Sequence, residues 1–168
     1  MAFEVILERT GPGVKGRGLS RLAHALLERT VRERTGAEPP RLALGEHGKP
    51  FFPSRPDLQF NLSHTVGVIA LAIGDEPVGI DVERIPACLD EEVAAFCCNA
   101  RELAEIRAAP RPELEFIRLW TRKEAYLKLL GTGIRDDMKT VLECTEGVSL
   151  RTDERIDEGF VVTVAAYF

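Results

Sequence analysis

The sequence predicts an α+β fold, and three observations carry that prediction. Apolar residues Leu22, Ala23, Leu26, Leu27 and Val31 keep helical spacing, and Pro112 opens a second helical pattern through "ELEFIRLWTRKEAYLKLL". Between the two, "LQFNL", "VGVIALAI" and "PVGIDVE" follow one another as apolar, β-rich stretches. The 168 residues, 45% of them hydrophobic, suffice for one compact domain over residues 1–168, or for two small lobes packed as one.

The elements follow in order. "FEVIL" reads as a short strand, and residues 11–18 as a Gly-rich loop. A helix from Leu19 runs until "TGAEPP" stops it, with Arg17 and Arg21 able to share one face at its start. "RLAL" is a candidate strand and "GEHGKP" a turn. Gly74, Asp75, Glu76 and Pro77 separate "VGVIALAI" from "PVGIDVE", which predicts a hairpin between those two strands. A helical segment spans residues 91–98. Asn99 with Glu102 three residues on gives a capping-box start for the next helix, which Pro110 ends. Pro112 begins the longest helix, and Gly131 after Leu130 caps it. "TVLEC", "GVSLR" and "FVVTV" complete the chain as expected hairpin strands.

Composition excludes several classes. The net charge of −5 argues against a nucleic-acid binder. No apolar run approaches a membrane span and the first residues lack a secretory pattern, so the expected location is the cytoplasm, with no membrane partner. The four cysteines have no metal-ligand spacing and read as reduced thiols. Charge is unevenly spread: residues 1–56 hold 10 basic and 6 acidic residues, the remainder 12 and 21. That bias suits a polyanionic small molecule held between cations and a carboxylate-bound metal, or simply two solvated surfaces.

Three groups of residues could do chemistry. Asp81 and Glu83 stand two apart on a predicted strand, hence side by side on one face. Alone, the pair reads more simply as a solvated strand end; a divalent cation between them would remove the repulsion. Trp120, Glu124 and Lys128 recur every four residues on the helix, so Glu124 can serve as a third ligand and Lys128 as a phosphate contact. Alone, that pair reads as a surface Glu–Lys pair. "NLSH", residues 61–64, ends a strand; Ser63 and His64 suit an anion, with Lys49 of "GKP" as a partner. There is no G-x-S-x-G elbow to favour a hydrolase.

Together, "GKP" (48–50), "FNLSH" (60–64), "GIDVE" (79–83) and "WTRKEAYLK" (120–128) resemble the ordered signature of the 4′-phosphopantetheinyl transferases, over roughly residues 17–134. The order fits the larger, single-chain, surfactin-synthetase-activating class. "LGTGI" (130–134) is also similar to a segment of the smaller trimeric class, whose Asp motif lies at the extreme N-terminus.

The resemblance implies a pseudo-twofold pair of α+β lobes, residues 1–74 and 75–168, each a small antiparallel sheet on a long helix. It implies transfer of 4′-phosphopantetheine from coenzyme A to a serine of an apo acyl or peptidyl carrier protein, releasing adenosine 3′,5′-bisphosphate. By similarity Asp81, Glu83 and Glu124 hold Mg²⁺, with Mn²⁺ as the alternative, and Lys128 contacts the pyrophosphate. Arg17, Gly48, Lys49, Pro50, Asn61, Ser63 and His64 form the coenzyme A contacts. Glu102 is the candidate general base, with Glu124 or a metal-bound hydroxide as competitors.

The segment before Arg17 is shorter than is usual in the larger class, and "LGEH" stands where basic residues often precede "GKP". The expected state is a monomer, with a homodimer as the alternative. The competing functions are a non-catalytic coenzyme A or carrier-binding module and a Mg²⁺-dependent phosphohydrolase on a small nucleotide. The acidic trio with Lys128 favours the transferase, and a carrier is expected to dock on an apolar, Arg-containing surface around residues 84–107.

Overall fold

The computed structural model describes residues 3–133 and 138–168. Ile134, which ends the "LGTGI" segment, lies outside the described residues. The fold is α+β, with two three-stranded antiparallel sheets, a two-stranded ribbon and four α-helices among the described residues. No helix among them is long and apolar enough to cross a membrane.

The first sheet takes the order β1-β5-β4, from β1 (Phe3–Arg9), β4 (Gln59–Thr65) and β5 (Val68–Gly74). β5 explains the uninterrupted apolar run. On one face Ile69, Leu71 and Ile73 pack with Leu26, Leu27 and Val31 of α1 (Arg17–Thr35). On the other, Val68, Ala70 and Ala72 meet the second sheet, so both sides of the strand are covered. α1 starts two residues before Leu19, and Gly36 ends it in the left-handed conformation.

The second sheet takes the order β6-β8-β7, from β6 (Val78–Arg84), β7 (Val148–Arg155) and β8 (Phe160–Tyr167). α2 (Glu91–Cys97), α3 (Ala100–Ala108) and α4 (Pro112–Leu130) follow β6. Asp90 caps α2, and the Asn99–Glu102 capping box opens α3 as its sequence predicts. α4 begins at Pro112 and closes on left-handed Gly131; at 19 residues it equals α1 rather than exceeding it. All four cysteines are free thiols.

Three strand expectations need correction. The β5–β6 hairpin does not form: β5 pairs with β1 on one edge and β4 on the other, so it has no edge left for β6. The hairpin is instead β4–β5, closed at Val66 and left-handed Gly67, while β6 pairs with β8. "TVLEC" is turn rather than strand, and "RLAL" contributes only the short β2 (Ala43–Leu44), paired with β3 (Pro50–Phe51).

β4 and β6 meet without backbone pairing. The Ile80 N–H donates to the Asn61 side-chain carbonyl at 2.8 Å, and the Val82 N–H to Ser63 Oγ at 3.3 Å. Side chains of one strand thus satisfy the backbone of the other, which fixes the register of the two sheets at the place where the cleft opens.

Candidate active site

On β6, Ile80 and Val82 point into the core between the sheets, so Gly79, Asp81 and Glu83 face α4. Gly79 permits the contact: a Cβ there would lie 2.0 Å from the Ala125 carbonyl oxygen. α4 returns Trp120, Glu124 and Lys128 on one stripe, and all three line the same cleft as Asp81 and Glu83. The cleft holds about 390 Å³ and is completed by Pro50, Leu62, Ser63 and His64, and by Ser20, Ala23 and His24 of α1.

At its floor Lys128 Nζ donates to Asp81 Oδ1 at 2.6 Å and to Ser63 Oγ at 3.0 Å, while Ser63 donates to the same carboxylate oxygen at 2.9 Å. Asp81 is 2% exposed and Glu124 9%. Among the described residues Asp81 Oδ2 and Glu124 Oε1 are buried without a hydrogen-bond partner, costly for carboxylate oxygens. Burial, then the charge of Asp81, pushes Glu83 up to about 7, with Lys128 and Trp120 pulling it back. Burial and Asp81 raise Glu124 in the same way, against Lys128.

Among the described residues no group of three or more His, Cys, Asp or Glu stands gathered as a metal site. The donor set nevertheless fits a hard cation: two unpartnered buried carboxylate oxygens and a third carboxylate, Glu83, line one cleft, where Lys128 now neutralises Asp81.

The other sequence-predicted residues divide. Ser63 and His64, neighbours on a strand, part company: Ser63 turns to Asp81 and Lys128, and the His64 ring to Ser20 Oγ at 3.1 Å. Arg17 lies in an adjoining groove with Ser20, Arg21 and His24. Gly48, Lys49 and Asn61 line a second cavity of about 240 Å³, which shares Pro50, Leu62, Glu124 and Lys128 with the cleft.

Two of the predicted site residues have structural work. Lys49 donates to the carbonyls of Val78, Lys128 and Leu129 at 3.3, 2.6 and 3.2 Å, so it caps the end of α4, and burial lowers it to about 8. Its three donors are thereby engaged away from any anion. Glu102 does not line the cleft: its Oε2 accepts from the Asn99 N–H at 2.9 Å and from Lys123 Nζ at 2.7 Å. The capping box that made Glu102 recognisable and the Lys123 contact share this one oxygen. Ser20 and His24 are the functional-cleft residues the sequence reading missed; their only signal is helical spacing from Arg17.

Comparison with known proteins gives the family. The family model of the 4′-phosphopantetheinyl transferase superfamily matches residues 77–163, the stretch that carries Asp81, Glu83, Glu124 and Lys128. A "4′-phosphopantetheinyl transferase" of Bacillus subtilis is 34% identical over 104 residues, 59% of this chain and 46% of the relative. The psf-1 transferase of Bacillus pumilus is 40% identical over 90 residues, 52% of this chain and 38% of its own. The AcpT transferase of Salmonella typhi is 40% identical over 116 residues, covering 66% and 60%. The chain spans about half the length of the curated relatives it matches. With more than half of the chain matched by the family model, the protein belongs to the 4′-phosphopantetheinyl transferase superfamily.

Proposed function

We propose that the protein moves 4′-phosphopantetheine from coenzyme A to a serine hydroxyl of an apo acyl or peptidyl carrier protein, with release of adenosine 3′,5′-bisphosphate. The observation that carries this reading is the convergence of Asp81, Glu83, Glu124 and Lys128 in one cleft with two carboxylate oxygens left unpartnered. Relatives named as 4′-phosphopantetheinyl transferases support it.

The serine oxygen attacks the phosphorus on the pantetheine side of the pyrophosphate, the P–O bond to the bisphosphate breaks, and the serine proton leaves. Phosphoryl transfer asks chiefly for positioning and charge neutralisation. Asp81, Glu83 and Glu124 would hold Mg²⁺, which supplies neutralising charge to the pyrophosphate when bound. Lys128 exchanges its contact with Asp81 for a phosphate oxygen, at the cost of one charge-assisted hydrogen bond and the gain of another. With Glu102 engaged by Lys123, Glu124 is the cleft carboxylate proposed to accept the serine proton. Ser63 and His64 line the cleft where the 3′-phosphate end would lie, and Arg17 sits at its adjoining mouth. The lobe division at residues 74 and 75, a cytoplasmic location and a carrier surface around residues 84–107 belong to the same proposal. In that last region Phe96 and Val93 are exposed, while Arg101 and Arg107 pair with Glu105 and Glu91.

The test is incubation with coenzyme A, Mg²⁺ and a panel of apo carriers from fatty acid, polyketide and nonribosomal peptide synthesis, followed by intact-mass measurement. The expected product is a carrier heavier by one phosphopantetheine. Coenzyme A cleaved equally fast without any carrier would point to a phosphohydrolase, and tight coenzyme A binding with no carrier modified to a binding module.

A further inference from the structure

Ser20 lies in the second turn of α1, exposed, with its hydroxyl 3.1 Å from His64 Nε2. An exposed helical serine usually turns its hydroxyl to water or to the carbonyl four residues back, whereas this one reaches 44 residues along the chain to a strand. Both residues line the cleft that holds Asp81 and Lys128. Nε2 is thereby engaged, and Nδ1 is the ring nitrogen left for a ligand.

That contact is compatible with a proton on Nδ1. An anion at Nδ1 needs an N–H there. When the ring is neutral, a Ser20 hydroxyl that donates to Nε2 places the proton on Nδ1; when the ring is charged, the same hydroxyl accepts from Nε2–H. A serine hydroxyl rotates freely between these roles, so one residue serves both protonation states and holds the ring plane in each. No other side chain among the described residues contacts the His64 ring by a hydrogen bond.

We infer that Ser20 is a positioning residue: it orients the His64 ring through Nε2, and through it sets the protein's preference for coenzyme A over 3′-dephospho-coenzyme A. The inference rests on the reading of His64 as a 3′-phosphate contact, and it adds a residue outside all four signature motifs. Ser20 acts through His64 and needs no contact with the reacting atoms.

The experiment is calorimetric binding of coenzyme A and of 3′-dephospho-coenzyme A to the full chain with Mg²⁺ present, so that no carrier is required. Ser20→Ala is expected to weaken coenzyme A binding by about 3- to 10-fold, the worth of one hydrogen bond, and to leave the dephospho ligand unchanged. Ser20→Thr, which keeps a hydroxyl, is expected to restore the preference. In a His64→Ala background, Ser20→Ala is expected to have no further effect. An unchanged preference in Ser20→Ala, equal weakening of both ligands, or a full effect persisting without His64 would overturn the role of Ser20. A wild-type protein that binds both ligands equally would overturn the reading of His64, and this inference with it.

Discussion

Glu83 makes the protein's response to pH a property of single residues. Its carboxyl is held at about 7, above the ordinary 4.5, by burial and by Asp81 beside it. Between about 4.5 and about 7 the folded chain therefore retains a proton that the unfolded chain has released, and stability falls as pH rises through that window. Glu124 is shifted in the same direction. Without metal, the melting temperature is expected to decline between about pH 5 and about pH 7, and Glu83→Gln to flatten the decline, as read by thermal unfolding across that range. A variant with the wild-type slope would show that Glu83 is not the group responsible. The paired carboxylates Asp57, Glu113 and Glu154 titrate below their ordinary values and leave this window clear. The spacing of Asp81 and Glu83 placed them on one face in the sequence reading, but neither the burial nor the orphaned oxygens were legible there, because both come from α4 closing over the strand.

At the scale of elements, the approach of α4 to β6 depends on one missing Cβ. Gly79→Ala would set a methyl 2.0 Å from the Ala125 carbonyl oxygen and 2.5 Å from the Leu129 nitrogen, both backbone atoms. The strand and helix must part, at about 1–3 kcal/mol or more, and Asp81 must move relative to Glu124. Denaturant unfolding is expected to show that loss, and an Ala variant as stable as wild type would contradict the described packing. Helix ends were the most legible elements: the Asn99–Glu102 box, Pro112 and Gly131 each signal their role locally. The strand order was not. Asp75, Glu76 and Pro77 look like a hairpin turn in sequence, yet β1, far earlier in the chain, holds one edge of β5 and β4 the other. The side-chain pairing of Asn61 and Ser63 to β6 keeps the strand period of two, but the partner strand is not legible in sequence, since side-chain acceptors replace backbone bonds.

Across the whole molecule, Lys123 ties the helices together. Its side chain is 1% exposed, and its ammonium donates to the Cys97 and Met138 carbonyls at 2.8 Å and to Glu102 at 2.7 Å. It thus pins the α2–α3 junction to α4, one residue from Glu124. Lys123→Met would leave the Glu102 carboxylate without its cation and is expected to cost about 3–5 kcal/mol, measured by urea unfolding. A change below about 1 kcal/mol would mean that the clamp is not holding the helices. The sequence offered Lys123 only as a motif letter and Glu102 as a base, because a buried ion pair between two helices is invisible until they pack. The two sheets, the clamp and the Asn61–Ser63 bridge together hold Asp81, Glu83, Glu124 and Lys128 around one cleft, and the account stands on that cleft performing the transfer. The most direct test is the stoichiometry of the two products in one sample, with coenzyme A, Mg²⁺ and an apo carrier. The prediction is one adenosine 3′,5′-bisphosphate released per phosphopantetheinylated carrier, with Asp81→Ala slower by about 100-fold or more while its circular dichroism stays unchanged. Bisphosphate released without matching carrier modification, or Asp81→Ala running at the wild-type rate, would contradict it.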